Sequence, residues 1–235
     1  MSTLHDRAMH QLGAEICRGE FPVGEVLPTE PALGEHLAVS RIVVREVIKS
    51  LVAKGMLEVR RKTGTVVCDP TNWNLFDPAI ITWRARTPVL NATLARDLME
   101  LRRIVEPAAA RLAAERADAA QRLALREAYE GMRRAVGGDG DYVEADLAFH
   151  SVILHACQNQ FLQQMQMVLS AILRTSFEIV STVPDGPASS LGLHEDLCIA
   201  IEAASPEAAE RAVLRLTERA ERDLRERLAL TATGD

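Results

Sequence analysis

The chain has 235 residues and a formal charge of −6 at pH 7, and its hydrophobic content of 48% supports a buried core rather than extended disorder. Its length suits one mid-sized domain plus a small one. No apolar run approaches the roughly 18–20 residues of a bilayer helix, and MSTLHDRAMHQ lacks a basic-then-apolar leader, so a cytoplasmic protein with no membrane partner is expected.

Met9, Leu12 and Ile16 recur at helical spacing and Gly19 stands where a C′ glycine would, which predicts a first helix. Phe21-Pro22-Val23-Gly24 reads as a turn. Thr29 is placed to cap a second helix that admits Pro31 in its first turn and runs to about Leu37. Ser40 is placed to cap a third, with Val44, Val47, Ile48 and Leu51 as its buried stripe and Gly55 at its end. Leu57–Arg60 and Thr65–Val67 are short β-branched strands around a basic tip, Arg61-Lys62-Thr63-Gly64. Three helices and a hairpin in this order predict a winged helix-turn-helix over residues 1–68. Residues 69–88 carry three prolines with Trp73 and Trp83, a connection with apolar anchors and so a docked linker. From there to residue 235 the pattern is helical: about 91–117 with Pro107 inside, 119–136, 142–158, 160–183, 188–204 and 206–230, broken by Gly137–Gly140, Pro184–Pro187 and Ser205-Pro206. The fold class expected is mostly α, with the winged helix followed by an all-α antiparallel bundle.

Charge is not spread evenly along this plan. Residues 1–70 hold nine Lys and Arg against nine acids, whereas the remainder holds 18 Arg against 24 acids. Between Ser40 and Lys62 seven cations face only Glu46 and Glu58. Arg41 and Arg45 lie one turn apart on the third helix and Lys49 a turn further, the layout of a helix that reads the major groove, with the wing cations placed for phosphates. The alternative is a solvated basic face on an accessory domain, and the hairpin that follows the helix favours DNA.

These segments, Leu27-Pro28-Thr29-Glu30, Val39-Ser40-Arg41-x-x-Val44-Arg45-Glu46, Gly55-Met56-Leu57 and Gly64-Thr65-x-Val67, resemble the winged-helix domain of the GntR family of bacterial transcription regulators. The resemblance covers residues 8–67 and implies operator contacts from Ser40, Arg41, Arg45 and Gly64; Val44, Lys49, Arg61 and Lys62 complete the set of expected DNA-binding residues. The chain departs from it at Pro31, where the family often has Arg, and at Ile42-Val43, where it often has Thr-Pro.

In the helical half, polar residues interrupt apolar stripes. Arg102 aligns with Leu98, Val105 and Ala109; Asp146 and His150 share a face with Phe149 and Ile153; His194 aligns with Leu191, Cys198 and Ile201. Interior groups of this kind are costly unless paired, so they form either a self-satisfied polar cluster or a site for a metal or an anionic ligand. Asp-x-x-x-His with a remote His is also a start for a divalent-metal site. Leu101-Arg102-x-x-Val105-Glu106-Pro107-Ala108-Ala109, Asp146-x-x-Phe149-His150, Asn159 and His194-x-x-Leu197 resemble the FCD effector domain of the FadR-like branch of that family. The resemblance implies a small carboxylate effector bound through a divalent metal such as zinc, manganese or nickel. Asp146, His150 and His194 match three ligands, while Leu216 stands where the fourth is expected, 22 residues beyond His194. Arg102 matches the position that meets the effector carboxylate, and Arg174, near Ile172 and Phe177, is a second candidate. Asn72-Trp73-Asn74, Ile81-x-Trp83 and Leu173-Arg174-x-x-Phe177-Glu178 are similar to the galactonate-responsive repressors of sugar-acid operons, which implies an aldonate effector.

The expectation is a homodimeric repressor that binds double-stranded operator DNA and leaves it when a small carboxylate enters the bundle. The linker around Trp73 and Trp83 is expected to couple the two events. Two rivals are a metal-dependent hydrolase or lyase built on Asp146, His150 and His194, and a non-specific architectural DNA binder. Cys17, Cys68, Cys157 and Cys198 show no CxxC spacing and read as buried thiols, and His5, His10, His36 and His155 as surface or packing residues. The arginines of the last helix, Arg211, Arg215, Arg219 and Arg222, interleave with glutamates and read as a solvated ion-pair face.

Overall fold

A computed structural model describes residues 3–85, 88–180 and 186–232. The chain forms two compact units, Met1–Asn91 and Ala92–Asp235.

The first unit contains α1 (Leu4–Cys17), α2 (Glu30–His36), α3 (Arg41–Ala53), β1 (Leu57–Arg60), β2 (Gly64–Val67), a 3-10 turn at Pro70–Asn72 and α4 (Pro78–Ala85). Thr3 and Asp6 form a reciprocal capping box on α1, and Ser40 caps α3 by accepting from the Val43 amide. Thr29 occupies the N-cap of α2 but its side chain makes no capping bond, so Pro31 alone biases that start. β1 and β2 pair antiparallel, Leu57 opposite Val67 and Arg60 opposite Gly64. The segment after the Pro22 turn extends the hairpin: Leu27 N–H donates to Thr65 O at 2.8 Å, Val67 N–H to Glu25 O at 3.1 Å, and Val26 bridges Val66. Sequence reading saw only a turn there, because Glu25-Val26-Leu27 is too short to show a period of two.

The core of this unit joins Leu12, Ile16, Leu33, Val44, Val47, Leu51, Met56, Leu57 and Val67 to Trp73, Ile80 and Trp83. Trp83 donates from Nε1 to His10 Nδ1 at 2.9 Å and Trp73 to the Cys68 carbonyl at 3.0 Å. Both indoles are therefore buried with their N–H groups satisfied. Gly13 makes room for the Trp83 ring, since a Cβ there would stand 2.6 Å from Cη2.

The second unit is helical throughout: α5 (Pro88–Arg116), whose first residues belong to the first unit, then α6 (Ala119–Val136), α7 (Tyr142–Ala156), α8 (Gln160–Gln164), α9 (Gln166–Val180), α10 (Gly186–Glu202) and α11 (Pro206–Ala232). α6 packs on α7 and α10, α10 on α11, and α9 on both α7 and α11. The predicted helix over 160–183 is interrupted: Met165 closes α8 as its C-cap before α9 begins. No proline or glycine marks that break, so periodicity alone passes over it. The predicted turn residues Pro184 and Asp185 lie outside the described residues. The four cysteines are unbonded; burial pushes the Cys17 and Cys198 thiols up to about 12, which leaves them inert. None of the described helices is long and apolar enough to cross a membrane.

Candidate functional site

On the first unit, α3 is held by its buried stripe against α1 and α2, and its other face is open. Ser40, Arg41, Arg45 and Lys49 are exposed along it, and Arg61, Lys62 and Gly64 are exposed at the hairpin tip. Val44 is the exception to the expected DNA contacts. It is fully buried in the core, so its side chain serves packing and cannot reach a base. Arg45 donates from Nε to both carboxylate oxygens of Glu30, at 2.8 and 3.0 Å. That anchor fixes the guanidinium while leaving its terminal amino groups to form a fork, the group that pairs with guanine O6 and N7. Glu30 lies fifteen residues from Arg45, too far apart for local spacing to mark it as the group that orients Arg45. The hairpin tip reverses through Lys62 and Gly64, both at positive φ, 68° and 115°. A Cβ on Gly64 would approach Val26 Cγ1 to 2.9 Å, so glycine is needed there for the turn and for the added strand.

On the second unit, α5, α7, α10 and α11 surround a cavity of about 230 Å³. Arg102, Asp146, His150 and His194 line it, and all four are buried, as their stripe positions predict. His194 donates from Nδ1 to the Ser190 carbonyl at 2.9 Å. Its Nε2 is thereby turned to Asp146 Oδ1 at 3.0 Å, while His150 Nε2 lies 3.8 Å from Asp146 Oδ2. Phe149 stands edge-on to both rings, and the two imidazoles also meet edge to face, their centroids 5.9 Å apart. Neither oxygen of Asp146 receives a well-aligned hydrogen bond although both are buried. One ligand atom from each of the three residues falls within 4.8 Å of the others. Buried nitrogen and oxygen atoms that converge in this way fit a cation, and the donor set of two imidazoles and one carboxylate suits zinc, manganese or nickel.

The electrostatics agree with that use. Burial alone would raise the Asp146 carboxyl, but His150, His194 and Arg102 together hold it below the usual carboxylate range. Burial pushes His150 down against the opposing pull of Asp146 and Glu106, so its imidazole is neutral at pH 7, the form that ligates metal.

Arg102 faces the cavity but its charge is already matched. Its Nε donates to Glu106 Oε1 at 2.7 Å, and Glu106 Oε2 lies 3.9 Å from His150 Nδ1. Glu106 therefore links the cationic wall to the histidine pair, a part that the sequence reading passed over. Arg174 does not line the cavity: it is exposed and pairs with Glu144 at 2.8 Å, which corrects its expected effector role. The neighbouring side chains of Ile172 and Phe177 lie outside the described residues. Arg219, expected on a solvated face, instead lines the cavity and donates from Nη1 to the Ser189 carbonyl at 2.7 Å. Tyr142 and Ser190 add a hydroxyl pair at 2.7 Å in the same wall, and Leu216 lies among these residues. Of the four remaining histidines, His5, His10 and His36 have partners that sequence spacing did not reveal, Ser50, Trp83 and Glu15.

Comparison with known proteins adds three findings. Residues 4–67 match the family described as bacterial regulatory proteins, gntR family, and residues 97–219 match the FCD domain. The galactonate operon transcriptional repressor of Escherichia coli (strain K12) is 32% identical over 226 residues, covering 94% of this chain and 96% of that protein. The uncharacterized HTH-type transcriptional regulator YieP of the same organism is 31% identical over 86% of this chain and 87% of its own length. Among solved structures, Streptococcus agalactiae GntR matches with a TM-score of 0.53 at 27% identity, over 94% of this chain and 99% of that one.

Proposed function

The chain belongs to the gntR family of bacterial regulatory proteins and carries an FCD domain, and from that premise we propose that it is the repressor of a sugar-acid catabolic operon. It is a ligand-responsive transcription regulator and not an enzyme. The observation that carries the finer reading is the orphaned Asp146 carboxylate between two buried histidines in the wall of a small cavity.

A cavity of about 230 Å³ is below the roughly 300–1,000 Å³ of drug-sized pockets, which favours a short acid over an acyl chain. Asp146, His150 and His194 are the residues that would hold a divalent cation, and Leu216 would add no fourth donor, so water or effector oxygens would have to complete the set. When bound, the cation supplies the Lewis-acid attraction for the effector carboxylate. Arg102, steadied and neutralised by Glu106, offers guanidinium N–H donors to the same anion. Tyr142, Ser190 and Arg219 offer hydroxyl and guanidinium contacts to the hydroxyls that distinguish an aldonate from a plain acid. The galactonate repressor's name supports this class of effector. The operator is read by Arg41, Arg45 and Lys49 from α3, with Ser40, Arg61, Lys62 and the Gly64 tip on the backbone. Two copies on a two-fold operator place half-sites about 34–36 Å apart.

A thermal-shift panel tests the effector. Aldonates, hydroxy acids and acyl thioesters are each added with zinc, manganese, nickel or EDTA, and operator release is followed in parallel by mobility shift. An aldonate that stabilises only with metal and releases DNA is the expected result, worth about 2.7 kcal/mol at a hundred times its dissociation constant. Stabilisation by thioesters and by no aldonate would mean that the sugar-acid reading is wrong.

A further inference from the structure

Ile42 sits in the first turn of α3 between Arg41 and the packed Val43, and it is 75% exposed, more than any other large hydrophobic side chain among the described residues. Val43, its neighbour, packs partly against the core; Ile42 does not. At roughly 100° per residue, the buried stripe of Val44, Val47, Ile48 and Leu51 puts Ile42 about 180° from its centre, the outermost line of the helix. Arg45 and Lys49 lie along that same outer face, and Arg41 precedes it.

Neither folding nor solubility accounts for an isoleucine there. It contributes almost nothing to the core, its branched Cβ lowers helix propensity, and it leaves an apolar side chain in water amid charged neighbours. The first residues of a recognition helix are the ones that reach base edges in the major groove, and the only apolar group displayed there is the thymine 5-methyl.

We propose that Ile42 is a specificity-determining residue that selects thymine in each operator half-site by packing on its 5-methyl group, beside the guanine read by Arg45. This inference rests on the reading of α3 as the DNA-binding helix. Val44, which is buried, takes no part.

The test removes one methyl at a time. The full-length protein first selects its operator from random duplexes. Each thymine of the selected half-site is then replaced by uracil, and affinity is measured for the wild type and for Ile42→Ala. Ile42 is exposed, so the variant leaves the core untouched.

At one thymine, or two adjacent ones, uracil is expected to weaken wild-type binding about fourfold per half-site, the worth of one buried methyl. Ile42→Ala should bind thymine and uracil operators equally and match the wild type on uracil. Insensitivity of the wild type to every uracil, or an undiminished uracil penalty in Ile42→Ala, would overturn the proposal while leaving the operator reading intact. Failure to enrich any sequence would overturn both, and would point to shape-driven, non-specific binding.

Discussion

Leu216 decides how the Asp146–His150–His194 set is completed. A leucine in the cavity wall supplies no lone pair, so a cation held by these three residues would need water or effector oxygens as further ligands. Leu216→His should therefore tighten metal binding by about tenfold or more in a chelator competition, and should weaken the dependence of that binding on effector. Asp146→Asn keeps the shape but removes the charge that balances the cation, and it should abolish metal binding in the same titration. An unchanged metal affinity in Asp146→Asn would exclude the cluster as the metal site. The burial of Asp146, His150 and His194 was legible because each polar residue breaks an apolar stripe at helical spacing, while their reading as metal ligands came from the resemblance to the FCD domain. Arg219 and Glu106 were not, for opposite reasons. Arg219 lies in a run of i, i+4 charges that looks solvated, and only the packing of α10 on α11 turns it toward the cavity. Glu106 stands one turn after Arg102, a spacing equally common on exposed helix faces, and nothing local marks it as buried.

At the scale of elements, two tertiary fittings carry consequences. The ring of Trp83 lies where a side chain at position 13 would be, so the docking of α4 on α1 depends on glycine in a helix interior that otherwise disfavours it. Gly13→Ala should destabilise the first unit by about 1–3 kcal/mol, the usual cost of overpacking, read as a lower midpoint in denaturant. In the second unit, Arg126 on α6 donates from Nε to Glu202 at the end of α10 at 2.8 Å, and Arg122 donates to the Glu202 carbonyl at 2.9 Å. The hydrogen bond from Arg126 holds the Glu202 carboxyl below the usual range against the opposing effect of burial. A depressed carboxylate contributes stability that is complete above its unfolded value and disappears as pH falls through its folded value. The contribution should thus be present at pH 7 and should shrink as pH falls below the ordinary glutamate range. Glu202→Gln should cost about 1 kcal/mol at pH 7 and less at pH 3, measured by urea unfolding at both. Element boundaries were legible where chemistry marks them, as at Ser40 and Gly55. The break at Met165 carries no such mark, and Glu25–Leu27 pairs with β2 through backbone groups that no side-chain pattern reports.

Across the whole chain, the division into Met1–Asn91 and Ala92–Asp235 separates the two optical probes. Both tryptophans, Trp73 and Trp83, are buried in the first unit, while most of the helical residues belong to the second. Indole fluorescence therefore follows the DNA-binding unit and far-ultraviolet dichroism is dominated by the effector unit. A metal bound by Asp146, His150 and His194 stabilises only the folded form of the second unit, by mass action. Chelation with EDTA should lower the dichroism midpoint and leave the fluorescence midpoint in place. Coincident shifts in both signals would mean that the two units unfold as one cooperative body, in which case effector binding reaches the operator-reading helix through shared stability. Separate shifts would require the signal to pass as a change of conformation through the chain near Asn91, since stability in one unit would then leave the other unaffected.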